Sequence, residues 1–182
     1  MMKSLICAVA ALPLLAGAAA ADTWTVDPAT STLGFQVKQA DGQVDGKFES
    51  WQASIDFDPE APQDAVISAK IETGSAITGN AQYDDMLAQP DYFNSATLGS
   101  AEFKTTSVSP VDDETFQAEG ILTIKGVSQP VTLDFTLKIE GDTAHAVGEA
   151  SLSRTTYDIG SSVATATLAD VVTVTLDLTA SR

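Results

Sequence analysis

The 182-residue chain has one cysteine, one histidine, and nine lysines and arginines against 25 aspartates and glutamates. Each shortage excludes something. With its single cysteine at position 7, the chain can build neither an internal disulfide nor a thiolate metal cluster. A formal net charge of −16 leaves too few cations to neutralise a run of phosphates, so nucleic acid is excluded as a principal partner. An anionic bilayer surface repels the chain for the same reason. Aromatic residues make up only 7%, without the paired girdles of an outer-membrane barrel. The one long apolar run, Leu5 to Ala20, is shorter than the roughly 20 residues a spanning helix needs.

Catalytic arrangements are equally sparse. There is no glycine-rich phosphate loop, zinc spacing or Ser-His-Asp order. His145 falls on a strand whose phase turns it outward. Asp84-Asp85 and Asp112-Asp113 are adjacent in sequence, which does not make an acid–base pair, and the second pair reads as a turn. Asp56, Asp58 and Glu60 lack the glycine and the spacing of a calcium loop. The expectation is a protein with no catalytic residues, no metal and no cofactor.

Met1-Met2-Lys3, then the apolar run, then Ala19-Ala20-Ala21 before Asp22, have the order of a secretory signal peptide. Residues 1–21 are therefore expected to be removed near Ala21, and Cys7 with them. The remaining residues, 22–182, form one domain without cysteine and with a net charge of −17 once Lys3 is lost. An exported chain of this kind suits a bacterial periplasm or cell exterior.

Residues 22–182 hold 21 Thr, 13 Val and 8 Ile, stiff side chains that favour strands. Phe116, Ala118, Gly120, Leu122 and Ile124 share one face of an alternating run. After a turn at Gly126 to Pro130, Val131, Leu133, Phe135, Leu137 and Ile139 share one face of the next. Further strands are expected at 31–40, 43–58, 66–73, 101–109, 143–153 and 170–180. Within 43–58 the apolar phase shifts between Phe48 and Trp51, which predicts a bulge or sharp bend near Glu49-Ser50. The main interruption, 80–93, fits a short helix or structured loop. Eight or so strands joined mostly as hairpins favour an all-β fold, a closed antiparallel eight-stranded barrel with one helix or loop insertion, because closure removes exposed edges. A two-sheet sandwich is the other arrangement the pattern allows.

Small residues occupy inward positions on several strands: Ala53, Ala69, Ala118, Gly120, Ala144, Ala146, Gly148 and Ala150. They leave volume that a small ligand could fill, or that Phe35, Trp51 and Phe103 could fill instead. The residues alone leave both readings open.

Several segments together resemble the YceI-like family, exported bacterial proteins whose lipocalin-like barrel binds polyisoprenoid lipids. They are Trp24-Thr25-Val26-Asp27-Pro28 with Ser31 to Phe35; Gly46-Lys47-Phe48 and Ile55 to Asp58; Ser75 to Asn80 with Leu87 and Asp91-Tyr92-Phe93; Gly120 to Val127 with Pro130 to Leu133; and Arg154, Asp158 and Gly160. The resemblance implies a long isoprenoid chain inside the barrel. It implies ligand contacts from the inward-facing Phe35, Phe48, Trp51, Ile71, Phe103, Leu122, Phe135 and Leu176, with Ile77, Tyr83, Leu87 and Phe93 as a lid or mouth. Lys125 and Arg154 are the cations best placed for a phosphate headgroup. The acidic composition favours a neutral isoprenoid quinone over a polyprenyl phosphate. The resulting expectation is a non-catalytic periplasmic carrier, or alternatively a quinone-delivering or regulatory partner of a membrane cytochrome of the b561 type. Pairing into a homodimer through an exposed strand or loop is compatible with either.

Overall fold

Period-two alternation governs almost the whole of the computed structural model, which describes residues 22–182. The expected signal peptide, its cleavage point and Cys7 lie outside the described residues. In chain order the strands are β1 (Thr23–Val26), β2 (Thr32–Gln39), β3 (Gly42–Phe48), β4 (Trp51–Asp56), β5 (Val66–Glu72), β6 (Ala76–Ile77), β7 (Ser100–Pro110), β8 (Thr115–Ile124), β9 (Val127–Glu140), β10 (Thr143–Ser153) and β11 (Leu168–Ser181). One short helix, α1 (Ala81–Leu87), lies between β6 and β7.

The strands close into a ring in the order β1-β4-β5-β7-β8-β9-β10-β11, with β11 returning to β1. Every pairing is antiparallel. β2, β3 and β6 continue the staves begun by β1, β4 and β5: β2 pairs with β11, β3 with β2, and β6 with β3. The wall therefore has eight staves, three of them broken. This is the expected closed antiparallel barrel with its helical insertion.

The phase shift in 43–58 marks a full interruption between β3 and β4. The Glu49 N–H donates to the Ser75 carbonyl oxygen at 3.1 Å, and the Ser50 N–H to Ser75 Oγ at 3.0 Å. Thr73–Ser75 forms a single 3-10 turn at the same level, so two neighbouring staves bend together.

Two local expectations are corrected. The turn before Val131 is tighter than Gly126 to Pro130, comprising only Lys125 and Gly126 at φ 52° and 78°. That pair gives a two-residue hairpin whose twist matches its strands, and Pro130 lies within β9 opposite Ile121. β1 was not among the expected strands, because four residues are too few to display alternation.

The interior is packed at both ends. At the end bearing β1 and β4, Trp24, Phe57, Phe116 and Phe135 are buried in one cluster, with Phe57 edge-on to Phe116 at 5.4 Å between ring centroids. At the other end, Phe35, Tyr92, Phe93 and Tyr157 belong to a second cluster. Asn80 caps α1 by accepting from the Gln82 N–H at 3.0 Å. Asp84 anchors the helix by accepting from the Thr78 N–H at 2.6 Å and from its hydroxyl at 2.7 Å.

Candidate functional site

The ring turns alternate residues of every stave inward, and the two aromatic clusters leave space between them. That space is a cavity of about 290 Å³ into which only apolar atoms are exposed. It is roughly twice the volume of an engineered cavity of about 150 Å³ that stays dry and binds benzene.

Its origin lies in the alanines. Ala53, Ala69, Ala101, Ala144, Ala146 and Ala150 line it from four different strands. Gly120 and Gly148 do not belong with them as makers of empty space. A Cβ at Gly120 would sit 2.5 Å from the Phe103 ring, and one at Gly148 would sit 2.8 Å from Phe135 Cβ. Gly120 is covered by the Phe103 ring, and Gly148 by the β9 strand beside it. Ala118 is fully buried within the packed cluster around Phe116.

Phe35, Phe48, Trp51, Ile71, Leu87, Phe93, Phe103, Leu122, Phe135 and Leu176 all line this one cavity. Ile77 and Tyr83 do not. In β6 the inward position is taken by the buried Ala76, and alternation turns Ile77 away. The Tyr83 hydroxyl donates to Gln39 Oε1 at 3.0 Å, tying α1 to the end of β2. Trp24, Phe57, Tyr92, Ile159 and Leu168 also line the cavity. Phe57 shares the phase of Trp51, Ala53 and Ile55, so a signal for it existed. Trp24 lies in the short β1, where its Nε1–H donates to the Phe57 carbonyl oxygen at 2.9 Å.

The two cations singled out for a headgroup are both committed to the backbone. Arg154 is 2% exposed. Its five N–H donors reach the carbonyl oxygens of Ala169, Ile159, Gly160, Val163 and Leu168. Lys125 Nζ donates to the carbonyl oxygens of Pro90 at 3.1 Å and Asp158 at 2.6 Å, and lies 3.5 Å from the Asp158 carboxylate. Together they fasten segments 88–94 and 154–169 over one end of the barrel. A phosphate would have to compete with those carbonyls.

The acidic groups do structural work as well. Ser161 Oγ–H, then Lys125, holds the Asp158 carboxyl below its usual range. The Thr155 hydroxyl, donating at 2.6 Å, does the same for Asp170, helped by Ser153. Asp112 is lowered by the Glu114 N–H, as befits a turn residue. His145 faces outward and meets Asp177 at 2.8 Å. Burial raises the Tyr157 phenol, whose hydroxyl meets no hydrogen-bonding protein group. Among the described residues, no group of three His, Cys, Asp or Glu side chains is placed to hold a metal ion.

An eight-stave antiparallel barrel enclosing a wholly apolar cavity defines a lipocalin-like architecture. The chain belongs to the family of YceI-like domains, whose family model matches residues 24–180. It is 34% identical over 97 residues to protein YceI of Salmonella paratyphi B, covering 53% of this chain and 50% of that protein. The aligned part thus spans about half the length of the curated relatives it matches. Among solved structures, BcnA of Burkholderia cenocepacia superposes with a TM-score of 0.80 at 27% identity, over 85% of this chain and 98% of that one. A polyisoprenoid binding domain from Saccharophagus degradans superposes with a TM-score of 0.66 at 13% identity, over 87% of this chain and 97% of that one. At that identity the likeness concerns the fold.

Proposed function

We propose that the protein is a non-catalytic carrier that holds the hydrocarbon chain of an isoprenoid lipid in the barrel interior. The observation that carries this reading is the continuous apolar cavity of about 290 Å³ between two aromatic clusters. An empty apolar volume forgoes dispersion contacts that a hydrocarbon chain would supply, and burying that chain gains about 25 cal/mol per Å² before association costs. The polyisoprenoid binding domain of the same fold supports this choice of ligand.

The headgroup is neutral, an isoprenoid quinone. Arg154 and Lys125 already spend their donors on backbone carbonyls, and the net charge of the chain is strongly negative. A polyprenyl phosphate would meet that field without a free cation in the cavity wall. The carrier acts in the periplasm, to which residues 1–21 direct it.

The test is to purify the processed protein from the periplasm, extract it with organic solvent and identify the extract by mass spectrometry. The expected result is a stoichiometric prenyl quinone. A prenyl phosphate would keep the carrier and refute the neutral headgroup. An extract without lipid, from a protein that also takes up no added quinone, would refute the carrier.

A further inference from the structure

The β9–β10 ladder ends before its strands do. Pairing runs from Glu140–Thr143 to Leu133–Ala150, although β9 begins at Val127 and β10 reaches Ser153. Over the remaining stretch β9 stays with β8 and β10 stays with β11. The two strands therefore part company within the barrel wall.

Pro130 keeps the ladder from resuming further along. Counting back from the two-residue turn at Gly141-Asp142, the residues whose backbone groups face β10 are Glu140, Lys138, Thr136 and Asp134, and next Thr132 and Pro130. Continuing the register sets Thr132 opposite Ser151 and Pro130 opposite Ser153, but Pro130 has no N–H to donate. The last rungs that do form are weakened by Asp134 directly opposite Glu149, a like-charge pair.

A groove runs along the outside of this seam, lined by Pro130, Val131, Thr132, Asp134, Glu149 and Ser151. Val131 also lines the interior cavity, as does Leu152, its opposite number in the continued register. Both are only partly buried. One layer of aliphatic side chain thus separates groove from cavity, and no β9–β10 rung pairs Val131 with Leu152. Between β6 and β7, which do not pair, segment 78–99 spans the wall and buries its own Tyr92 and Phe93.

We propose that this seam is a side entrance through which the prenyl chain is taken up, with Val131 and Leu152 as its gate. The inference rests on the lipid-binding reading above. Ubiquinone with two isoprene units serves as the probe, and quenching of Trp24 and Trp51, both in the cavity wall, as the readout. Thr132 and Ser151 are exposed and adjoin the last rung, Leu133–Ala150, which places a Thr132→Cys/Ser151→Cys pair for bridging the seam from outside, and residues 22–182 hold no other cysteine. The reduced form of the same folded chain is the control. The oxidised form should take up the probe at least about tenfold more slowly than the reduced form, an added barrier of about 1.4 kcal/mol, and reach the same final quench. Leu152→Ala, which shortens the gate without a crosslink, should speed uptake. Equal uptake rates in all three proteins, with the quench intact, would overturn the side entrance and leave lipid binding standing. No quench in any of them would overturn both.

Discussion

Arg154 Nη2 donates to the carbonyl oxygen of Leu168 at 2.7 Å, linking the end of β10 to the start of β11. The other donors of the guanidinium fix Ile159, Gly160, Val163 and Ala169 in the same way. The chain between the last two staves is thus folded around one buried cation.

Arg154→Met would strip five carbonyl oxygens of their common donor. With an unmet buried polar group costing about 1–3 kcal/mol, the loss of stability should reach at least about 3 kcal/mol, read from the denaturant midpoint. Stability left intact, with quinone binding weakened, would instead assign Arg154 to a headgroup.

Gly120→Ala should be destabilising even though it adds only one methyl group. The new Cβ would lie 2.6 Å from the Lys104 carbonyl oxygen, which is fixed in the β7 backbone, and 2.5 Å from the Phe103 ring. Overpacking of this kind costs about 1–3 kcal/mol, visible as a lowered thermal midpoint. An unchanged midpoint would mean that the Phe103 ring yields freely.

Acid should loosen segment 154–170 before the barrel wall. Asp158 and Asp170 both have depressed folded-state pKa values, through Ser161 and Thr155 first and Lys125 and Ser153 next. A depressed carboxylate stabilises the fold above its unfolded pKa, near 3.9, and that contribution is lost as pH falls through the lower folded value. Hydrogen exchange at Thr155, Asp158 and Ile159 should therefore accelerate as pH drops below about 4, ahead of residues 116–124, once the intrinsic pH dependence of exchange is removed. Uniform loosening would count against these contacts. Asp170→Asn should leave Thr155 less protected already at neutral pH.

The barrel wall was largely legible because strand alternation is a local property. Phe116 to Ile124 and Val131 to Ile139 announce their inward faces residue by residue, and the phase break before Trp51 announces the bend in a stave. Where a partner comes from far along the chain, local pattern says nothing. Arg154 and Lys125 read as free cations because the carbonyls that occupy them, at Pro90 and from Asp158 to Ala169, arrive only with the fold. Tyr83 reads as a pocket aromatic until Gln39, 44 residues away, claims its hydroxyl. Pro130 reads as a turn residue because proline favours turns, whereas the chain has already turned at Lys125-Gly126. Gly120 and Gly148 read as empty space because alternation does not report that the Phe103 ring lies across the first and that the neighbouring β9 strand, at Asp134 and Phe135, lies against the second.

The most direct test is to fill the interior and titrate again. Ala53 and Ala150 both line the cavity, and an Ala53→Leu/Ala150→Leu variant puts six methyl or methylene-sized groups into space that a prenyl chain would use. Titrated with ubiquinone carrying two isoprene units and followed by tryptophan quenching, the variant should bind at least about tenfold more weakly, a loss of about 1.4 kcal/mol. Its unfolding midpoint should stay at or above that of the parent. Undiminished affinity in the filled and folded variant would contradict binding in the barrel interior.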